Sequence, residues 1–193
     1  MLLEPMGDLE SDRAYELFRE QAVIGEYAGV DFAAIETMSD IAELTAAIIA
    51  VKENTSLPVL ASMTFDKTGY TYIGATPEDF VETAEQLGVS AVGINCSLEP
   101  AEMVSVVKRI AQTTNLPLII KPNAGLPDSV TGLYSIGPAE FAGQMAQLLE
   151  AVETAALARH TLPGSRPHRQ MIIGGCCGTT PDYINELRKS MNK

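Results

Sequence analysis

The chain has 193 residues, 46% of them hydrophobic, enough for one domain with a sizeable core. Thirteen basic residues against 25 acidic ones leave a net charge of −12, which argues against a nucleic-acid partner, whose binding rests on neutralised phosphates. No apolar run approaches the ~20 residues that cross a membrane, and Met1-Leu2-Leu3-Glu4-Pro5-Met6 lacks the basic region and apolar stretch of a secretion signal.

Residues 12–28 carry Ala14, Leu17, Phe18 and Ala22 at helical spacing, and Gly29 ends that run. A first strand is expected over roughly 30–35. Asp40-Ile41-Ala42-Glu43 has capping-box form and opens a helix expected to bury Ile41, Leu44, Ile48 and Val51. Further strands are expected over roughly 58–63, 90–95, 117–121 and 171–174. All five are rich in Val, Ile, Leu and Ala without strict alternation, as parallel strands buried on both faces should be. Helices start at Pro77, Pro100, Pro138 and Pro181, where the fixed φ of proline helps and its missing N–H costs nothing. Thr76 and Thr180 precede two of them as natural N-caps.

Strand alternating with helix means parallel α/β. Gly29 through Glu36 resembles Gly88 through Asn95, and Leu57-Pro58-Val59-Leu60 resembles Leu116-Pro117-Leu118-Ile119, both at a separation of 59 residues, or two strand–helix units. A two-unit period suits a (β/α)8 barrel, in which alternate strands fill alternate layers. The competing doubly wound sheet lacks support, because no G-x-G-x-x-G follows any strand. In a barrel all strand C-termini share one face, and that face carries the site. Here those ends read Glu36-Thr37, Ser62-Met63-Thr64, Asn95-Cys96, Lys121-Pro122-Asn123 and Cys176-Cys177.

Each of the three cysteines thus stands where a buried strand emerges into a loop. Neighbouring strand residues point to opposite faces, so Cys176 and Cys177 can share a ligand only if the backbone bends, which the flanking Gly174, Gly175 and Gly178 allow. Three converging thiolates without a fourth cysteine suit a zinc ion that keeps one position open. Packing as small hydrophobes, a vicinal Cys176–Cys177 disulfide and a redox sensor are the competing readings. The last two leave Cys96 unexplained. An odd number of cysteines with no secretion signal makes a reducing cytoplasm the expected setting.

Gly93-Ile94-Asn95-Cys96, Lys121-Pro122-Asn123-Ala124-Gly125-Leu126-Pro127 and Gly174 through Pro181, together with Ile35-Glu36-Thr37-Met38 and Ala61-Ser62-Met63-Thr64-Phe65, resemble the homocysteine S-methyltransferase family. They are most similar to the zinc- and homocysteine-binding module of its cobalamin-dependent methionine synthases. The resemblance implies Zn2+ held by Cys96, Cys176 and Cys177, with Glu36 on the homocysteine amino group. It also implies that Asn123 can approach the zinc when substrate is absent. The implied donor is methylcobalamin, on a cobalamin-binding domain or protein served by a folate methyl donor. The glycine after the cysteine pair and the Lys-Pro-Asn form favour that branch over users of betaine or S-methylmethionine. A zinc-binding remnant without turnover is the alternative of another class.

The resemblance also implies an incomplete TIM barrel. The family barrel has eight strands and this chain supplies about five, as one domain over 1–193, without the family's opening Asp-Gly-Ala-Met-Gly-like segment. Residues 152–170 read as an inserted loop where the family has a short turn. It holds Arg159, His160, Arg166, His168 and Arg169, and as a helix-to-strand connection it is expected on the face opposite the site. Five strands cannot close, so two open edges and self-association through them are expected.

Overall fold

The computed structural model describes residues 3–157 and 170–191. Helices and strands alternate through them as α1 (Ser11–Tyr27), β1 (Ala33–Met38), α2 (Ile41–Asn54), β2 (Val59–Met63), α3 (Pro77–Gln86), β3 (Ala91–Asn95), α4 (Pro100–Thr113), β4 (Leu118–Lys121), α5 (Pro138–Leu157), β5 (Met171–Ile173) and α6 (Pro181–Met191). The strands form one parallel sheet in chain order. Ala33 lies opposite Val59, Leu60 opposite Ala91, Val92 opposite Leu118, and Ile119 opposite Ile172. Sequential parallel strands with a helix in each connection form the wall of a barrel. Among the described residues the wall stays open between β1 and β5. Among the described residues no helix is long and apolar enough to cross a membrane.

Side-chain alternation divides the sheet into two faces. Ile35, Val59, Ala61, Met63, Val92, Ile94, Leu118 and Ile120 belong to one core with Leu44, Ile48, Phe80, Met103, Phe141, Met145 and Leu148 of the helices. The alternate residues, among them Glu36, Ser62, Asn95 and Lys121, therefore point to the concave face, away from the helices. The middle strands are buried on both faces, and Ser62, Ala91, Asn95 and Ile119 are as inaccessible as the helix-side core. Gly93 permits the tight wall, since a Cβ there would lie 1.9 Å from the Ile119 carbonyl oxygen.

All five expected strands and the proline-started helices are present. β1 begins three residues later than expected and runs on to Met38, with its register against β2 broken between Ile35 and Met38. The break is Thr37, a non-glycine residue at φ +62°. Two expectations need correction. Asp40 caps α2 by accepting from the Ala42 N–H at 2.7 Å, without the reciprocal Glu43 bond of a capping box. Burial and the Asp40 charge instead push the Glu43 carboxyl up. The capping box forms at α3, where Thr76 and Asp79 exchange both bonds. Residues 152–157 are not loop but the last turns of α5, because Val152 and Ala155 are buried as part of its apolar face. The rest of the supposed insertion, with His160 and His168, lies outside the described residues.

Candidate metal centre

Three thiols meet at the C-terminal rim of the sheet. Cys96 directly follows β3, where Cys96 and Ser97 both take left-handed conformations, at φ +64° and +60°. That turn reverses the chain at once, and the Leu98 N–H closes it on the Cys96 carbonyl at 2.7 Å. Cys176 and Cys177 follow β5 across Gly174 and Gly175, and Gly178 turns the chain away at φ +81° under the Tyr134 ring. The bend that adjacent cysteines needed is therefore present. All three sulfurs lie within 4.8 Å of one another, with Cys96 Sγ 3.5 Å from Cys177 Sγ. None is in a disulfide, so the vicinal pairing is not made.

The end of β4 serves as the template for this convergence. Lys121 O accepts from the Cys96 N–H at 3.0 Å, and Pro122 O accepts from the Cys176 N–H at 2.8 Å. Asn123 Oδ1 accepts from the Cys177 N–H at 3.0 Å. Consecutive residues of one strand end thus each hold one cysteine. Asn123, read from the resemblance as a group that can approach the metal, is nearly buried and supports the cysteine loop.

The thiols interact strongly. Hydrogen bonding from Cys96, then burial and the Cys96 charge, push the Cys177 thiol up to about 11. Burial pushes the Cys96 thiol up as well, but hydrogen bonds from the Ser97 N–H, the two other cysteines and the Asn123 side chain outweigh it and hold Cys96 below its ordinary value. Crowded thiols cannot all ionise without a cation, because like charges this close repel. The donor set fits zinc. Tetrahedral Zn–S bonds of about 2.3 Å place sulfurs roughly 3.8 Å apart, close to the 3.5 Å between Cys96 Sγ and Cys177 Sγ and inside the 4.8 Å that bounds all three.

Glu36 stands on the concave face at the end of β1, in an ion pair with Lys121 of β4. Two strands separate these residues, a distance of roughly 14 Å in a flat sheet. The curl of the wall brings them together. Between them lies Asn95, fully buried at the end of β3 and bonded to Thr37, Ser62 and Cys176. In the sequence Asn95 and Lys121 are legible as polar strand ends on the site face, without an individual role. Nothing there marks Tyr134, whose hydroxyl is pushed up by burial and by the charge of Cys177.

The chain is similar to known proteins over nearly its whole length. The sequence model of a family described as homocysteine S-methyltransferase matches residues 2–191. The chain is 30% identical over 190 residues to a methionine synthase of Mycobacterium leprae, and 28% identical over 194 residues to one of Mycobacterium tuberculosis. Each match covers 96% of this chain but only 15% of the relative, so the chain spans a small part of those proteins. Among solved structures, the apo form of the homocysteine methyltransferase MmuM from Escherichia coli is similar with a TM-score of 0.70 and 23% identity. That likeness covers 95% of this chain and 59% of the other. The metallated form of the same enzyme gives 0.65 and 21%, over 95% and 53%. At such identities the structural likeness bears on the fold, which is that of an incomplete barrel. The family match runs over nearly the whole chain and takes in all three cysteines, and the chain belongs to the homocysteine S-methyltransferase family.

Proposed function

We propose that this chain binds zinc through Cys96, Cys176 and Cys177 and presents homocysteine for S-methylation to methionine. The donor in this reading is methylcobalamin on a separate domain or protein. One observation carries it: three unlinked sulfurs converge on the rim that also carries Glu36. A free thiol with a pKa near 8.5 is only a few per cent ionised at pH 7. Zinc on three thiolates would supply an open position that takes the substrate thiol in its ionised form. The chain's own residues do the rest. Glu36 offers a carboxylate to the substrate ammonium, and Asn123 and the end of β4 keep the cysteines in place. A reducing, cytoplasmic setting suits three unpaired thiols.

The test begins with metal analysis. The purified chain is expected to hold about one zinc, and Cys96→Ala, Cys176→Ala and Cys177→Ala are each expected to lose most of it. Calorimetry should then show homocysteine binding to the zinc-loaded chain, weakened by Glu36→Gln. Zinc without homocysteine binding would mean a metal-binding remnant. Methionine formation by the full gene product should depend on methylcobalamin. Turnover with betaine or S-methylmethionine in its place would overturn the choice of donor.

A further inference from the structure

Asn95 is fully buried, and its side-chain amide has four bonding positions, all filled from three other elements or their ends. Its Oδ1 accepts from the Thr37 N–H at 2.9 Å and from Ser62 Oγ at 2.7 Å. Its Nδ2 donates to Thr37 Oγ1 at 2.6 Å and to Cys176 Sγ at 3.8 Å. The Thr37 backbone N–H can only donate, so the amide oxygen must face it and the amide N–H must face the sulfur. This fixes the amide's orientation without appeal to the metal.

Each partner matters for the site. Thr37 is the left-handed residue directly after Glu36, so the bonds that Asn95 makes to it set where the Glu36 carboxylate points. Cys176 is one of the three converging thiols, and an N–H donor on its sulfur fixes the direction of its free lone pairs. Ser62 anchors the amide from the strand between. A single side chain thus spans the two ends of the site.

We propose that Asn95 is a positioning residue that sets the separation between the metal and the Glu36 carboxylate, and so the length of thiol amino acid the site accepts. This rests on the proposed homocysteine reading. The ammonium on Glu36 and the sulfur on the metal are the two fixed ends of the ligand. Homocysteine and cysteine differ by one methylene between those ends. A methylene of misfit is worth roughly 10- to 200-fold in discrimination. Outer-shell hydrogen bonds of this kind orient metal ligands as well as the ligands orient the metal.

The experiment uses the chain loaded with Co2+, whose sulfur-to-metal absorption reports the ligand set, and titrates it with homocysteine and with cysteine. The unaltered chain is expected to prefer homocysteine by tenfold or more. Asn95→Asp keeps the shape and the accepting oxygen but removes the donor to sulfur, and Asn95→Ala removes every bond. Both are expected to keep a three-sulfur spectrum while the preference falls towards one. Unchanged preference in a variant that still shows that spectrum would overturn the proposal. If the unaltered chain fails to respond to homocysteine at all, the proposed function is what fails. A second measurement needs no variant: with 113Cd in the site, the Asn95 side-chain amide protons should exchange slowly and show coupling to cadmium through the N–H···S bond. Fast exchange without coupling would refute the tie to Cys176.

Discussion

Glu36 and Lys121 are 85 positions apart and meet only because the wall curls. In the proposed function, Lys121 Nζ sits where the substrate ammonium belongs, so the substrate must displace it. The pair is partly open to water, with 21% of the Lys121 side chain and 39% of the Glu36 side chain exposed. Such pairs contribute about 0–1 kcal/mol. Lys121→Met should therefore raise homocysteine affinity by no more than about fivefold, read by calorimetry on the zinc-loaded chain. A fall in affinity would mean that Lys121 holds the substrate instead, by its carboxylate. This contact could not be read in the sequence. The cysteines were legible because apolar runs mark strand ends and strand ends share a face. Lys121 and Asn95 were visible only as polar residues at such ends. Their partners depend on how far non-neighbouring strands approach, which spacing along the chain does not encode. Thr37 was hidden for a related reason, since nothing in a threonine announces a left-handed backbone.

At the scale of elements, the start of α2 shows how a motif can match in letters and differ in bonds. Asp40 already accepts from the Ala42 N–H, and Glu43 sits half-buried beside that carboxylate. Burial first and the Asp40 charge second raise the Glu43 pKa above its ordinary 4.5. The folded state then binds the proton more tightly than the unfolded one. The ionised carboxylate therefore costs stability at neutral pH, and this cost fades as pH falls from the folded pKa to the unfolded one. Glu43→Gln is expected to raise the Tm at pH 7, with the gain shrinking as pH drops towards 4.5. An equal gain at both pH values would show that the effect is not ionic. The other elements were legible in outline, because apolar runs, initial prolines and the Thr76 cap are local signals. The end of α5 was missed because the expectation there followed the family's short turn, whereas Thr154-Ala155-Ala156-Leu157 simply continues a helix whose apolar face is already packed.

At the scale of the whole molecule, the unclosed wall dominates. Among the described residues no strand pairs with the outer edge of β1 or β5. Ile172 on β5 is 41% exposed, and Phe32 and Val30 beside β1 are 50% and 45% exposed. A groove of about 330 Å³ lined by Phe18, Val30, Ala33, Ile35 and Leu57 runs along the β1 edge. Unpaired backbone beside apolar side chains is a template for another strand. The net charge of −12 opposes contact between copies, but salt screens such repulsion beyond about 10 Å at 0.1 M. The chain is expected to self-associate as its concentration and the ionic strength rise, measured by light scattering after size-exclusion chromatography. A monodisperse monomer at high concentration and 0.5 M salt would contradict this.

The three cysteine N–H groups bound by Lys121, Pro122 and Asn123 have a consequence for how the ion comes and goes. Two backbone carbonyls and the Asn123 side chain hold the loops that present the sulfurs, so the pose is expected to survive removal of the ion. Small zinc modules whose ligands gather only around the ion unfold when it is taken away. This chain should behave as a mould. A chelator would strip the zinc and leave far-ultraviolet circular dichroism unchanged, and added zinc would restore the starting state without a refolding step. Loss of helical signal on chelation would show that the ion, not the end of β4, keeps the loops in place.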